Sequence, residues 1–272
     1  MRIVKILTVA VFGILSLTML IAAVQKAAVQ KKALHGVPNV FRNNNCVTCH
    51  AGIKEPVGTS AHFYEWRNSR HANQAVGCEK CHGGNPNTDS YKLAHEGVLS
   101  PTFTQSTLHP KNLAQTCSTC HQEIANAFVK SRHSQVLQES GNGPSCTNCH
   151  RHMASSVTNW PPDTSMLCAQ CHKPNGSGAK YLNVPTQAGE TIAAFTRSDG
   201  VLEWARYLLA ECKKQKVRLP VETEKIRQLE IVNKQAKVQW HEFNLTASRR
   251  SVDDVFLRAT EVKDGIWKKL PE

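Results

Sequence analysis

The sequence predicts a mainly α-helical chain with extensive loops, in which a loop-rich front part is followed by a C-terminal helical bundle. Three observations predict this. A short pattern, Cys-x-x-Cys-His, occurs five times between residues 46 and 172. The segment that carries it is rich in Asn, Ser, Thr, Gly and Pro and has little continuous helical period, which reads as short helices joined by loops. From about Thr191 the character changes: this last stretch holds 12 of the 21 acidic residues, no copy of the pattern, and apolar residues at helical spacing.

The five copies are Cys46-Val-Thr-Cys49-His50, Cys78-Glu-Lys-Cys81-His82, Cys117-Ser-Thr-Cys120-His121, Cys146-Thr-Asn-Cys149-His150 and Cys168-Ala-Gln-Cys171-His172. This is the attachment signature of c-type haem. The two thiols add across the porphyrin vinyl groups, and the adjacent imidazole becomes the proximal iron ligand. Zinc knuckles also use Cys-x-x-Cys pairs but do not require a His directly after each. His makes up 13 of 272 residues, so one in that place by chance is about a one-in-twenty event, and five in a row is negligible. Disulfides across Cys-x-x-Cys are redox-active loops rather than a structural framework. The expectation is therefore five covalently bound haem c groups. The ten cysteines above hold them, and His50, His82, His121, His150 and His172 are the proximal ligands.

Five porphyrins supply much of an apolar core, which explains an aromatic content of only 6%. They also alter the charge. The polypeptide carries +12, and two propionates on each haem remove roughly ten of those units. The basic residues are first of all propionate partners. They are not interleaved with stacking aromatics in one stripe, so no nucleic-acid partner is expected.

At the N-terminus, nineteen residues from Ile6 to Val24 carry no charge and follow Arg2 and Lys5. Residues 1–25 read as a membrane anchor or a signal peptide. The run is long for a signal core, and only Ala22-Ala23 offers a cleavage site, which favours a retained anchor. Lys26, Lys31 and Lys32 flank its far end, so charge does not set the orientation. Covalent haem attachment takes place outside the cytoplasm, which puts the body of the chain in the periplasm, tethered to the cytoplasmic membrane. Residues 26–185 then form the pentahaem domain and 186–272 the bundle. Five haems in so short a segment must lie close together, the geometry of an electron wire.

An internal repeat runs through the haem region. Trp66-Arg-Asn-Ser69-Arg70-His71 lies between the first and second motifs, and Phe128-Val-Lys-Ser131-Arg132-His133 between the third and fourth. The reading is two dihaem modules with a fifth haem appended. In the C-terminal part, Val201, Trp204, Ala205, Leu208 and Leu209 follow a helical period, and Pro220 breaks the chain. Ile226, Leu229, Ala236, Trp240 and Phe243 then share a face that Asn233 interrupts. Ser251-Val-Asp-Asp254 reads as a capping box variant opening a third helix with Val255, Phe256, Ala259, Val262, Ile266 and Trp267. Cys212, the leftover thiol, reads as buried and inert.

Six-coordinate haems need distal ligands, and eight further histidines can supply them. His71 and His133 rank first on the repeat, followed by His109 and His95. His152 and His62 come after these, and His35 and His241 last; Met153 stands behind the histidines. The order of haem motif, aromatic-x-x-Ser-x-His, haem motif and helical bundle with Trp240-His241 resembles the superfamily of hydroxylamine oxidoreductase, cytochrome c-554 and pentahaem nitrite reductase. That resemblance implies distal roles for His71 and His133. The anchor with a haem array is similar instead to the NapC/NirT quinol dehydrogenases, although no Met follows His50. Pentahaem nitrite reductases carry Lys in place of His in one motif, whereas all five motifs here end in His. Hydroxylamine oxidoreductase has eight haems and a crosslinked Tyr, and nothing marks Tyr207 as that residue.

These readings combine into one expectation: a membrane-anchored pentahaem cytochrome that relays electrons between a membrane quinone pool or respiratory enzyme and a periplasmic redox partner. The rival expectation is an oxidoreductase acting on a small nitrogen or sulfur compound at one haem with an open distal face. A third is a subunit of a larger complex or a homo-oligomer, docking through the bundle near Trp267, Lys263, Lys268 and Lys269.

Overall fold

The computed structural model describes Ile21, Leu34 and residues 36–53, 57–151 and 160–270, and for 57–61 the backbone alone. Among the described residues every regular element is helical, so the fold is mainly α as predicted. No helix among them is long and apolar enough to cross a membrane. The apolar run Ile6–Val24 apart from Ile21, together with His35, His152 and Met153, lies outside the described residues. Two compact units divide the rest: residues up to Leu108 with Arg151 form one, and His109–His150 with 160–270 form the other.

Among its described residues the first unit holds a 3-10 turn (Asn39–Phe41) and five helices: α1 (Asn45–His50), α2 (Val57–Arg67), α3 (Arg70–Asn73), α4 (Glu79–His82) and α5 (Tyr91–Ala94). Its core is small, built from Phe41, Val47, Ala51, Phe63, Trp66 and Ala72, with Cys78 packed against it. Trp66 anchors it. The ring meets Phe41 edge-on at 4.9 Å, and its indole N–H donates to the Val76 carbonyl at 2.8 Å. A buried indole needs such a partner.

The second unit continues with α6 (Leu113–Ser118), α7 (Gln122–Lys130), α8 (Arg132–Ser140), α9 (Cys146–His150) and α10 (Pro161–Ala169), then three long helices, α11 (Val184–Lys214), α12 (Pro220–His241) and α13 (Leu245–Trp267). The long helices pack around Val201, Ala205, Leu208, Ile226, Leu229, Val255, Ala259 and Ile266. These are mostly the positions whose spacing predicted the bundle. Trp204 and Trp267, placed on the same faces by spacing, are half-exposed instead, with the Lys263 ammonium 4.3 Å above the Trp204 ring. Cys212 is buried in the bundle core, as expected.

Three readings of the bundle change. The first helix starts at Val184, earlier than the apolar period showed, with a proline in its first turn where the missing N–H costs nothing. The third starts at Leu245, not at Ser251, because Asn244 caps it by accepting from the Ala247 N–H at 3.1 Å. Ser251 lies inside α13 and bonds across to Gln239 at 3.2 Å. Asn233 is no interruption: it accepts from the Ser198 hydroxyl at 2.7 Å and donates to Asp199 at 2.6 Å, a cross-helix network that fixes how α11 and α12 register.

Candidate haem-binding sites

Each motif folds as about one helical turn. The first and fourth lie wholly within α1 and α9, and the second within α4 and its N-cap residue Cys78. In the third and fifth, a helix ends inside the motif, and the histidine N–H closes the turn by donating to the first cysteine's carbonyl, at 2.8 Å from His121 to Cys117 and 3.0 Å from His172 to Cys168. Residues three apart on a helical turn share a face, so both thiols of a motif point to one side. None of the eleven cysteines is in a disulfide.

The repeat has a local cause. Ser69 and Ser131 are N-caps of α3 and α8: Ser69 Oγ accepts from the Ala72 N–H at 3.4 Å, and Ser131 Oγ from the Ser134 N–H at 3.1 Å. Both serines are buried, at 1% and 2% exposure, as are the aromatics Trp66 and Phe128. In each copy the histidine is the second residue of the capped helix. Aromatic-x-x-Ser-Arg-His is thus an aromatic wedge, a cap and an imidazole held in a set place.

Three motif histidines each face a histidine outside the motifs. Ring centres are 6.1 Å apart for His50 and His95, 6.0 Å for His172 and His133, and 6.0 Å for His150 and His241. Two imidazoles on opposite sides of one metal, with bonds of about 2 Å and ring centres roughly 1 Å behind each nitrogen, stand about 6 Å apart. A fourth association joins His82 to His62, the charged group that lowers it most after burial, and His50 follows.

The tautomers agree. A carbonyl only accepts, so an imidazole nitrogen bonded to one must carry the proton and leave the other nitrogen for a metal. His95 Nδ1 donates to the Tyr91 carbonyl at 2.8 Å, His241 Nδ1 to Lys237 at 2.7 Å, and His172 Nδ1 to Gly178 at 3.2 Å. Gly178 is required there: a Cβ would lie 2.6 Å from the His172 ring. His109 is set the other way, because its Nδ1 accepts from the Lys111 N–H at 3.3 Å. The Nδ1 atoms of His133 and His150 are buried with no hydrogen-bond partner.

Electrostatics favour neutral, ligating imidazoles. Burial, then the neighbouring His172, pushes His133 down to about 4. Burial also lowers His50, His82, His150 and His241, with His95, His62 and His241 as the next causes for the first three. Most shifted thiols go the other way: burial lifts Cys78 to about 12 and Cys149 to about 11, while the hydrogen bond with Cys117 lowers Cys146. Cysteines of successive motifs also meet. Cys117 is raised first by its hydrogen bond with Cys146, and Cys46 raises Cys78 most after burial. In the second unit Cys149 senses both Cys168 and Cys171.

The donor set therefore fits haem c: paired thiols on one face, a following imidazole, and second imidazoles at a shared-metal spacing. Of the sequence-ranked distal candidates, His133 and His95 are brought opposite motif histidines. His71 holds on α3 the place that His133 holds on α8. His241, ranked last, is the one that sequence reasoning missed. Its only signal was the Trp240-His241 pair at a helix end.

Comparison with known proteins places two family matches on the chain. Residues 18–83 match the family described as cytochrome c554 and c-prime, and residues 102–177 that of cytochrome c7 and related cytochrome c. Among curated proteins, the C-type polyheme cytochrome OmcB of Geobacter sulfurreducens is 27% identical over 177 residues, covering 54% of this chain and 22% of that protein. OmcC of the same species is 24% identical over 174 residues, covering 53% and 22%. The chain thus spans about a fifth of the length of these relatives. No solved structure gives a significant match.

Proposed function

We propose that this multihaem c-type cytochrome works as a five-haem electron relay, tethered to the cytoplasmic membrane by its N-terminal segment with the haem-bearing body in the periplasm. Haem c, once attached, moves one electron at a time through its iron. The chain's part is to hold and tune it. Ten motif cysteines fix the five groups, and five motif histidines take one axial place on each. His95 and His133 take the opposite place for the first and fifth motifs, and His62 for the second.

One observation carries the reading: three motif histidines face second imidazoles at 6.0–6.1 Å between ring centres. Iron held on both faces by imidazole has no place for substrate, which suits electron transfer rather than catalysis. The contact between first cysteines of successive motifs supports it further, since thioether carbons of neighbouring porphyrins would then adjoin. The similarity to polyheme cytochromes points the same way. The natural donors and acceptors are a membrane quinol or respiratory enzyme on one side and a periplasmic redox protein on the other.

The test is a haem count with a spin-state survey on the full chain, matured in cells able to attach haem. A mass increment of five haems, with low-spin signals throughout, is the expected result. A count below five, or a high-spin haem that binds nitrite reversibly in the intact protein, would overturn the relay and return the enzyme reading.

A further inference from the structure

The corner between α12 and α13 lies far along the chain from any haem motif, yet one of its side chains reaches a motif histidine and another the histidine that faces a second motif. His241, the last residue of α12, places its ring 6.0 Å from that of His150, with planes 15° apart. Its Nδ1 donates to the Lys237 carbonyl one turn back, at 2.7 Å. The other nitrogen is left as a lone-pair donor, and the ring cannot swing without losing that bond. Phe243 follows, with a φ of +58°, a conformation bulky side chains rarely adopt. Such strain persists only where the surroundings impose it. Here it sets the Phe243 ring against two others: edge-on to His133 at 4.0 Å and against Phe128 at 6.5 Å. His133 in turn faces His172 at 6.0 Å.

We infer that this corner is a haem-binding element, with His241 the distal ligand of the haem held by Cys146 and Cys149, and Phe243 the wall that positions His133 as distal ligand of the haem held by Cys168 and Cys171. The inference rests on the relay reading and deepens it. The spacing argument has a specific form here: His150 pairs with a histidine from the bundle at the distance that two motif histidines elsewhere keep from theirs. Ordinary aromatic packing has no reason to choose a motif histidine and a second histidine in all three cases. The bundle is then no mere lid. It completes the fourth haem site, so haem loading and the docking of α12 support each other.

The test uses the full chain matured with haem. His241→Gly is expected to keep five haems while converting one from low spin to high spin, and free imidazole is expected to restore the low-spin signal. His241→Met keeps a sixth ligand of another kind, so one haem is expected to rise in potential, since Met/His ligation raises it. Phe243→Ala is expected to leave the His150 haem low-spin and to perturb a different one. If both His241 variants retain five haems and wild-type spectra and potentials, the inference fails and the relay stands. If the wild-type chain itself lacks five haems, the relay reading fails and takes the inference with it. Should His241→Gly not fold, the potential of His241→Met decides.

Discussion

Replacing Ser131 with alanine tests whether the repeated serine positions a ligand. Its Oγ accepts from the Ser134 N–H at 3.1 Å and is 2% exposed, so alanine leaves that N–H with no acceptor and almost no water to replace it. Loss of an N-cap costs roughly 1 kcal/mol, up to about 2, and burial puts Ser131 in the upper half of that range. The helix it caps, α8, has nine residues, too few to hold together without packing and caps. If α8 holds His133 on the fifth haem, releasing His133 becomes easier by the same 1–2 kcal/mol, roughly five- to thirty-fold. Carbon monoxide on the ferrous protein reads this directly, because it must displace the distal imidazole. Its apparent affinity at one haem should rise by that factor in Ser131→Ala and stay near wild type in Ser131→Thr. Unchanged carbon monoxide binding in a variant that has lost stability would refute the link between cap and ligand. Unchanged stability would refute the cap itself.

Other perturbations bear on separate parts of the structure. Gly178→Ala puts a Cβ 2.6 Å from the His172 ring and disturbs its 3.2 Å bond to the Gly178 carbonyl; losing about 1 kcal/mol of preference for ferric iron should raise one midpoint by roughly 40 mV in a redox titration, since tenfold is 59 mV for one electron. In the bundle, Asn233→Leu removes the best acceptor of the fully buried Ser198 hydroxyl and should cost about 2–3 kcal/mol in urea unfolding, whereas adding Ser198→Ala should recover most of it. The chain made without haem should lose stability as pH falls from 6.5 towards 4. His133, His50, His82, His150 and His241 all have folded values below their ordinary one, so the unfolded chain binds more protons in that window. A urea midpoint that is flat across that range would contradict the burial of these imidazoles.

What the sequence made legible was whatever is set within a few residues. The motif spacing specifies one helical turn with two thiols on a face, and all five motifs form it. The repeat was legible because cap, wedge and histidine are neighbours in the chain, and the bundle because burial of one face imposes a period. The illegible parts depend on partners elsewhere. Asn233 looked like a break in an apolar face because Ser198, which satisfies it, lies on another helix. Ser251 looked like a cap because its acidic neighbours follow it at the right spacing, while the true cap, Asn244, is preceded by a strained Phe243 that no pattern announces. His241 ranked last since only the Trp240-His241 pair marked it locally, and its 6.0 Å approach to His150 arises only when α12 ends there.

The two units also differ in how they can tune what they hold. In the first, the His50 pair relies on His95 with its Nδ1 tied to Tyr91, beside an exposed tyrosine ring 4.4 Å away. In the second, His241 is tied to Lys237 and His172 to Gly178, while the Nδ1 atoms of their opposite numbers, His150 and His133, are buried and unpaired. A tied imidazole is the stronger electron donor to a metal and stabilises its oxidised form, and burial without compensating charge disfavours added positive charge. The second unit thus sets, in each of these two pairs, one tied ring against one untied ring. The first sets its tied donor next to solvent. If these pairs hold iron as proposed, motifs of one pattern acquire unequal sites from hydrogen bonds alone, and unequal sites give the proposed relay steps of unequal potential.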